Sequence, residues 1–452
     1  MKNSRPILSI CIPTYNRAEL LKYSLKSIIP QVNEFSDEVE LIVSDNGSDD
    51  HTIEVVKWAQ QMGDFKFHRN IENLGVIKNI FKLTHELSSG EYCWVLGDDD
   101  MLVNGKLGKI LDCIKTYSEI DYFFVNFFGK SVKERNVLID NFDSKYSPKF
   151  KEYFMKDLDD KVLDTWEEIL GIKNTLPAQS ITFIGCHIFR RQIWNKYTYL
   201  IKQHINNGFS TLEATFPHNI ILTHAMKGKP SYYIGDPCVL FGTGAHEWSK
   251  YLTKIELERV EELIQLYEQI GIDKKLIKYC KDDFLKRSAK NVIRTICDED
   301  KSEIKVDFNK LFNKYGSKQK FYVTLMSEMG KKLPSRNEEV FNNFTNKFFE
   351  TILRKYIKKN SALAIWGGGE IGLSLLESNL ILDHLKVVID KDKTKINKNF
   401  GPTHIKIQSP SYLLENPVDV ILVASLKYAK EIIKEIKNEH NFKSEIISVF
   451  DF

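Results

Sequence analysis

Strand-like apolar runs alternate with helix-like segments through about the first hundred residues, and this alternation constrains the fold more than any other feature of the chain. Apolar residues fill each predicted strand, whereas between the strands they recur at helical spacing. The predicted strands cover residues 7–12, 39–43, 65–68 and 92–96, and the predicted helices cover residues 18–28, 52–61 and 76–87. Pro13 is expected to end the first strand. Because a helix follows each strand, we expect a parallel α/β sheet.

Polar residues follow three of these strands. Residues 13–17 come after the first strand, residues 44–49 after the second, and Asp98 to Asp100 after the fourth. In parallel α/β sheets, ligands bind beyond the carboxyl ends of the strands, where the connecting loops converge. We therefore expect the three polar segments to share one crevice.

The rest of the chain divides into three regions. Further strands are predicted at residues 122–128, 181–189, 232–234 and 239–241. Charged and apolar residues then alternate at helical spacing, and a second strand–helix–strand pattern opens at residue 362, with later strands near 387–390 and 418–423. We predict an α/β domain over residues 1–246, a helical linker domain over 247–359 and a small Rossmann-like α/β domain over 360–452.

Composition excludes several classes of protein. A net charge of +3 over 452 residues is too small for a nucleic-acid-binding protein, which needs a concentrated basic face. The seven cysteines are scattered and form no close pairs, and no apolar run approaches the roughly 20 residues that span a bilayer. We expect a cytoplasmic protein.

Lysine pairs such as Lys331–Lys332 are typical of solvated helices, with peripheral contact to an anionic membrane as the alternative. The oligomeric state is left open.

The run Asp98, Asp99 and Asp100 is the most informative local feature. Adjacent carboxylates repel one another and raise each other's pKa, so a cation or sugar hydroxyls are needed to stabilise them. Mn²⁺ or Mg²⁺ fits this requirement, since both take oxygen ligands from one or two carboxylates and from substrate phosphates. The structural alternative is a helix N-terminal cap, a position that aspartate favours.

Four motifs resemble those of family 2 glycosyltransferases in order and spacing. They are Ile10–Arg17, Val43–Ser48, Asn73–Gly75 with Asn79, and Gly90–Asp100. Within that family, Leu96–Asp100 resembles the abequosyltransferase-like members, which decorate bacterial surface polysaccharides. The resemblance implies a GT-A fold that moves a sugar from a nucleoside diphosphate-sugar to a glycan or lipid-linked glycan acceptor. UDP is the commonest nucleotide in the family, and the abequosyltransferase-like features allow CDP.

The resemblance also implies roles for individual residues at the donor site. The residues implied in nucleotide-sugar binding are Pro13, Thr14, Tyr15, Arg17, Asp45, Asn73 and Asp98. The first four line the base pocket, and Asp45 accepts a hydrogen bond from a base N–H. A strand-ending turn is the structural alternative for both segments.

Metal binding is implied for the acidic run. Family members usually carry Asp-X-Asp, in which the second acid binds the metal. Alignment on Leu96 places Gly97 where the first acid belongs. Asp99 is therefore implied as the metal ligand, with Asp98 or Asp100 in support, and a shift of one residue would exchange these roles.

Two parts of the family pattern are altered in this sequence. His246 resembles the histidine of the family's Arg-X-His segment and is implied as a metal ligand or phosphate contact, but Gly244 stands where the arginine belongs. The usual catalytic base lies in a Glu-Asp pair, and Phe216–Pro217 stand at that place. His218 and Glu213 are the nearest substitutes, and the stereochemical outcome is left open.

The carboxyl-terminal module carries Gly367-X-Gly369-X-X-Gly372 after an apolar strand, and Asp390 ends the next strand. This pattern is typical of dinucleotide sites. It also resembles small Rossmann-like domains attached to bacterial sugar-modifying proteins, in which the glycines serve close helix–strand packing. We favour packing, so NAD(P) is not expected as a cofactor.

Two other classes of function compete with glycosyl transfer. A nucleotidyltransferase would also combine a parallel sheet with metal-bound acids, but a glycine-rich phosphate loop bearing Lys or Arg is expected after its first strand, and Pro13–Arg17 does not provide one. A non-catalytic nucleotide-sugar-binding scaffold would account for the missing Glu-Asp pair.

Overall fold

The computed structural model describes residues 5–131, 155–172, 181–202, 209–243, 251–296, 357–358, 360–369, 372–373, 375–425, 428–440 and 444–448, with scattered residues between 314 and 328. The chain forms two compact units, Met1–Phe284 and Leu285–Phe452. Within the described ranges, no helix is both long enough and apolar enough to cross a bilayer. The domain boundaries at residues 246 and 359 remain predictions.

The described residues of the first unit form nine strands and a set of helices. The strands are β1 (Leu8–Thr14), β2 (Val39–Asp45), β3 (Lys66–Arg69), β4 (Tyr92–Val95), β5 (Met101–Leu102), β6 (Tyr122–Ser131), β7 (Lys161–Leu163), β8 (His187–Arg190) and β9 (Ser231–Thr243). The helices are α1 (Ala18–Glu34), α2 (Thr52–Ala59), α3 (Val76–Lys82), α4 (Lys106–Thr116), α5 (Arg191–Tyr197), α6 (Leu212–Thr215), α7 (Pro217–Met226), α8 (Leu252–Lys254) and α9 (Val260–Gln269), and α10 (Lys274–Ile296) runs across the boundary between the units. The last three helices lie in the predicted helical middle region.

The nine strands form one mixed sheet. Their order is β3-β2-β1-β4-β8-β6-β9-β5, with β7 also paired to β9. Strands β1 to β4 are parallel, as predicted, whereas β8 is antiparallel to both β4 and β6. The α/β fold class is confirmed. The pairing is parallel from β1 to β4 and mixed in the rest of the sheet, where β6 and β9 also pair parallel.

Pro13 does not end the first strand as predicted. Strand β1 continues to Thr14, and Pro13 pairs with Ser44 of β2. The pairing of β1 with β4 stops earlier, at Cys11. Beyond that point β1 has a ladder partner on one side only, so a residue without an N–H is tolerated there.

The acidic run lies in a turn between two strands and does not cap a helix. Strand β5 follows at once and pairs antiparallel with β9, with Met101 opposite Leu240. The next helix, α4, begins only at Lys106. The capping alternative is therefore wrong, because long-range pairing with β9 outweighs the local tendency of aspartate to begin a helix.

Two predicted strands near residues 232 and 240 are one strand, β9. It pairs with β6, and the register shifts between Val125 and Phe127. The Asn126 side chain fills this bulge by donating to the Gly235 carbonyl at 2.7 Å. Pro237, whose ring removes a ladder donor, lies among the β9 residues that this register shift leaves without a partner in β6. The strand predicted over 181–189 is reduced to β8, which begins at His187.

The second unit contains a five-stranded parallel sheet. Its strands are β10 (Leu363–Trp366), β11 (Leu385–Ile389), β12 (Ile407–Gln408), β13 (Val420–Val423) and β14 (Glu445–Ser448), in the order β12-β11-β10-β13-β14, and its helices include α11 (Asn379–His384), α12 (Tyr412–Glu415) and α13 (Ala429–Glu435). The Rossmann-like character predicted for this region is confirmed.

Two glycines of the second unit lie in close backbone contacts. Gly367 has a φ of +119°, and a Cβ there would lie 2.8 Å from the Ala424 carbonyl oxygen. A Cβ on Gly372 would lie 2.4 Å from the Gly367 carbonyl oxygen. Asp390 accepts a hydrogen bond from the Gly368 N–H at 2.9 Å. These contacts support the packing interpretation of the glycine-rich loop.

Candidate active site

The carboxyl ends of β1 and β4 meet at the acidic run. The Thr14 hydroxyl donates to Asp98 Oδ2 at 2.8 Å. Asp98, Asp99 and Asp100 are all buried, although each carries a carboxyl group. The loops after β1 and β4 thus converge, as the order of parallel strands predicts.

Arg17 joins two of the three acids. Its Nη1 lies 2.8 Å from Asp98 Oδ1, and its Nη2 lies 2.8 Å from Asp99 Oδ2. Burial alone would lower the pKa of Arg17, but the charges of Asp98 and Asp99 outweigh burial and raise it. The structure therefore places the Arg17 guanidinium on the acidic loop, and its implied place in the base pocket remains a prediction.

The surroundings of Asp98 change its pKa. Burial raises its pKa from an ordinary value of 3.8 to about 7, even though the Arg17 charge acts in the opposite direction. A carboxyl group with this pKa changes its charge near neutral pH, and a cation that needs the carboxylate competes with a proton there.

The raised pKa of Asp98 predicts a pH-dependent effect of Asp98→Asn on stability. The unfolded chain releases this proton near pH 4 and the folded chain near pH 7, so wild-type stability falls as pH rises between these values, by roughly 1.4 kcal/mol for each pKa unit. The difference between the Tm of Asp98→Asn and that of the wild type should therefore grow more positive from pH 5 to pH 8, measured by thermal unfolding in metal-free buffer. Asp112→Asn, at an exposed position, is the control. A difference that stays constant with pH would contradict the assignment.

Asp100 closes the acidic turn. Its Oδ2 accepts the Gly97 N–H at 2.8 Å, and its N–H donates to the Gly97 carbonyl at 3.1 Å. A Cβ at Gly97 would lie 2.8 Å from Asp100 Oδ2 and 2.9 Å from Asp99 Oδ1. A side chain at this position would therefore require the two carboxylates to shift.

Asp45 and Arg69 form a second charged pair at the same edge of the sheet. Asp45 is fully buried, and its Oδ1 accepts from the Ser48 N–H at 2.9 Å and from the Ser48 hydroxyl at 2.6 Å. Arg69 Nε lies 3.5 Å from Asp45 Oδ2, and Nη2 donates to the Ser48 carbonyl at 2.6 Å. Sequence analysis missed Arg69, although its place at the carboxyl end of the third strand could have indicated it.

The loops after β1 and β2 are tied to each other. The Asn16 N–H donates to the Ser48 hydroxyl at 2.8 Å, and Asn16 Oδ1 accepts from the Asp49 N–H at 2.8 Å. Asn16 has a φ of +52°, a left-handed conformation that asparagine tolerates better than most residues. Pro13 and Tyr15 lie half-buried on either side of Thr14.

Three buried asparagines, Asn46, Asn70 and Asn79, and the exposed Asn73 hold the loop after β3 against the loop after β2. Asn46 Nδ2 donates to Asn73 Oδ1 at 2.7 Å, and Asn70 Nδ2 donates to Asn46 Oδ1 at 2.9 Å. Asn79 accepts from the Ser44 hydroxyl at 2.6 Å and donates to the Ser44 carbonyl at 3.0 Å. The structure thus places Asn73 next to the Asp45 loop, and the network fixes the loop geometry before any ligand is bound.

The two candidate bases have different environments. His218 is buried near the start of α7, where its Nε2–H donates to the Thr182 carbonyl at 2.9 Å and its ring lies 5.4 Å from that of His187. Burial lowers the pKa of His218 to about 4, so the ring is neutral and weakly basic at physiological pH. Glu213 lies half-buried on α6. His246 and Gly244 lie outside the described residues.

Comparisons with known proteins agree with this architecture. Residues 9–175 match the family model of glycosyl transferase family 2, and residues 323–450 match that of the C-methyltransferase C-terminal domain. Abequosyltransferase RfbV of Salmonella typhimurium is 36% identical over 116 residues, which are 25% of this chain and 34% of that protein. The Campylobacter jejuni GalNAc(5)-diNAcBac-PP-undecaprenol beta-1,3-glucosyltransferase is 39% identical over 108 residues, 24% of this chain and 34% of that protein. The match spans about a third of the length of these relatives.

Two solved structures are similar to this chain at low sequence identity. The crystal structure of S. aureus TarS 1-349 covers 78% of this chain and 93% of its own length, at 13% identity and a TM-score of 0.46. The mannosyltransferase PcManGT from Pyrobaculum calidifontis, in complex with GDP-Man and Mn²⁺, covers 74% of this chain and 89% of its own length, at 12% identity and a TM-score of 0.39.

The mixed sheet and the polar loops at its edge define a GT-A domain of the nucleotide-sugar-binding class. On the sequence matches, residues 9–175 are similar to glycosyltransferase family 2, and part of this amino-terminal domain is similar to an abequosyltransferase.

The acidic loop has a donor set that suits a hard divalent cation. Asp98 and Asp99 each direct a carboxylate oxygen at one positive group, which here is the Arg17 guanidinium. Among the residues described, no group of three or more His, Cys, Asp or Glu side chains forms a metal cage. Mg²⁺ and Mn²⁺ sites in such enzymes commonly use one or two carboxylates, with substrate phosphates completing the shell. The residues present therefore fit a cation that binds together with a phosphorylated donor.

Proposed function

We propose that the chain transfers a sugar from a nucleoside diphosphate-sugar to a glycan or lipid-linked glycan acceptor during synthesis of a bacterial surface polysaccharide. The observation that carries this proposal is the junction of the loops after β1 and β4, where Thr14 and Arg17 bind Asp98 and Asp99. The similarity of residues 9–175 to family 2 glycosyltransferases supports sugar transfer as the reaction class. The similarity to an enzyme named for an undecaprenol-linked substrate supports the lipid-linked acceptor.

Two groups of charged residues would bind different parts of the donor. Asp45 and Arg69 offer a buried carboxylate and a half-exposed guanidinium to the nucleobase side of the donor. Asp98 and Asp99 would hold Mn²⁺ or Mg²⁺ at the diphosphate side, and the cation would neutralise the leaving nucleoside diphosphate when bound. The acceptor hydroxyl attacks the anomeric carbon as the bond to the diphosphate breaks, and its proton passes to a base.

UDP is the nucleotide we propose first, with CDP second. A ligand that binds only the folded state raises its stability by about 2.7 kcal/mol at 100 times Kd. In the presence of Mn²⁺, UDP should therefore raise the Tm by several degrees in a thermal-shift panel that also contains CDP, GDP and ADP. A larger shift with CDP would replace UDP in the proposal, and no shift with any nucleotide would contradict a nucleotide-sugar site.

The product released identifies the reaction. Incubation of UDP- and CDP-sugars with Mn²⁺ and candidate lipid-linked glycans should release nucleoside diphosphate in step with sugar incorporation. Pyrophosphate release would instead indicate nucleotidyl transfer. Binding without release of either product, across the panel of donors and acceptors, would indicate a non-catalytic scaffold and contradict the proposal.

A further inference from the structure

We infer that Arg17 is a built-in counter-cation of the donor site, which neutralises Asp98 and Asp99 when no donor is bound and competes with the divalent cation for the same two carboxylates. The inference rests on the proposed function, because it assumes that these carboxylates are the cation ligands. It assigns Arg17 to the acidic loop, whereas family resemblance assigns it to the base pocket.

The geometry of the guanidinium carries the inference. Arg17 contacts the two carboxylates through separate nitrogens, Nη1 to Asp98 and Nη2 to Asp99, both at 2.8 Å. A divalent cation held by these acids would compete with the guanidinium for the same two carboxylates. The Arg17 side chain is 24% exposed, compared with 4% for Asp98 and 7% for Asp99, so Arg17 is the most accessible partner of the three.

Electrostatics explains why such a counter-cation is useful. Two adjacent buried carboxylates without a cation would repel each other and destabilise the empty loop. Arg17 offsets this repulsion, and a metal ion that binds the same carboxylates would weaken the contact of at least one of them with the guanidinium. The donor diphosphate offers the guanidinium another anionic partner, because arginine pairs readily with phosphate oxygens. Cation and donor are therefore expected to bind cooperatively, and coupling of this kind is reciprocal.

The Arg17 side chain has no separate role in starting the neighbouring helix. Helix α1 begins at Ala18, and it is the Arg17 backbone carbonyl that accepts the Leu20 and Leu21 N–H groups. The side chain makes no capping hydrogen bond. Replacing it by glutamine is therefore expected to leave the helix start intact, so that changes in metal affinity can be assigned to the acidic loop.

The test measures Mn²⁺ binding without any substrate, by electron paramagnetic resonance of the free ion. Arg17→Gln should bind Mn²⁺ about tenfold more tightly than the wild type in the absence of nucleotide, which corresponds to about 1.4 kcal/mol. Addition of UDP should tighten Mn²⁺ binding by about tenfold in the wild type and by less than about threefold in Arg17→Gln. Arg17→Lys, which places a single charge near the acids, should lie between them.

Arg5→Gln is the matched control. Arg5 donates to the Ser89 and Gly90 carbonyls ahead of β4, away from the acidic loop, and its loss changes the net charge by the same amount. It should bind Mn²⁺ as the wild type does. Equal or weaker Mn²⁺ binding by Arg17→Gln would overturn the inference. If Arg17→Gln is unfolded by circular dichroism, Arg17→Lys decides in the same way.

Failure of the proposed function can be distinguished from failure of the Arg17 inference. If no nucleotide alters Mn²⁺ binding or the Tm of the wild type, the donor proposal fails. The nucleotide-free comparison of wild type with Arg17→Gln still decides whether Arg17 competes for the two carboxylates.

Discussion

Asp99→Asn is expected to lower kcat/KM for Mn²⁺-dependent sugar transfer by about 100-fold or more. Asparagine keeps the shape of the side chain and can still contact Arg17, but it removes the negative charge that would hold the cation against the diphosphate. Asp99 is preferred over Asp100 because Asp100 Oδ2 already closes the turn with the Gly97 N–H. Steady-state kinetics over a Mn²⁺ titration measures the effect, and the half-saturating Mn²⁺ concentration should rise with the loss of rate.

Asp112→Asn provides the control for this substitution. Asp112 lies on α4 with an exposed side chain and pairs with Lys115, so its replacement makes the same chemical change on the surface. It should leave kcat/KM unchanged within about twofold. Mn²⁺-dependent turnover that survives at wild-type levels in Asp99→Asn would remove Asp99 from the metal site and return the assignment to Asp98 or Asp100.

The convergence of the polar loops could be predicted because it follows from topology. Once β1, β2 and β4 are parallel neighbours, their carboxyl ends must lie at one edge of the sheet. Thr14 and Asp98 are 84 positions apart in the chain, yet hydrophobic periodicity alone was enough to place them at the same edge.

The partners of individual side chains could not be predicted in this way. Periodicity places a residue at an edge of the sheet but does not select a rotamer, so nothing in the sequence distinguishes an Arg17 that reaches a base from one that reaches the acidic loop. The pairing of Arg69 with Asp45 depends on the register of β3 against β2. The turn at Asp98–Asp100 was ambiguous because local propensity favoured a helix start, and only the distant strand β9 supplies the pairing that determines β5.

His218 shows how burial changes the interpretation of a sequence motif. Its position after Phe216–Pro217 made it a candidate base, because the family's Glu-Asp pair belongs there. In the structure its ring is buried, and its Nε2–H is engaged by the Thr182 carbonyl. A base with a pKa of about 4 accepts a proton poorly at neutral pH, so His218 is better suited to packing the start of α7 than to proton transfer.

Glu213→Gln is accordingly expected to lower kcat by about 100-fold, the lower end of the range for loss of a general base. Glu213 is partly open to solvent on α6, so an acceptor hydroxyl can approach its carboxylate, whereas His218 is closed off by burial. Glutamine preserves the size of the side chain but cannot take the proton. The kcat should fall more than the KM of the donor changes.

Two companion variants make this prediction decisive. Glu119→Gln, at an exposed turn ahead of β6, should keep wild-type kcat. His218→Gln should lower the Tm, because a buried ring and its hydrogen bond are lost, while kcat measured below the Tm changes by less than about tenfold. If instead His218→Gln loses activity at an unchanged Tm and Glu213→Gln does not, the proton is taken by the buried histidine. If both variants keep wild-type kcat, the base lies elsewhere, since each substitution removes the only group through which that residue could accept the proton.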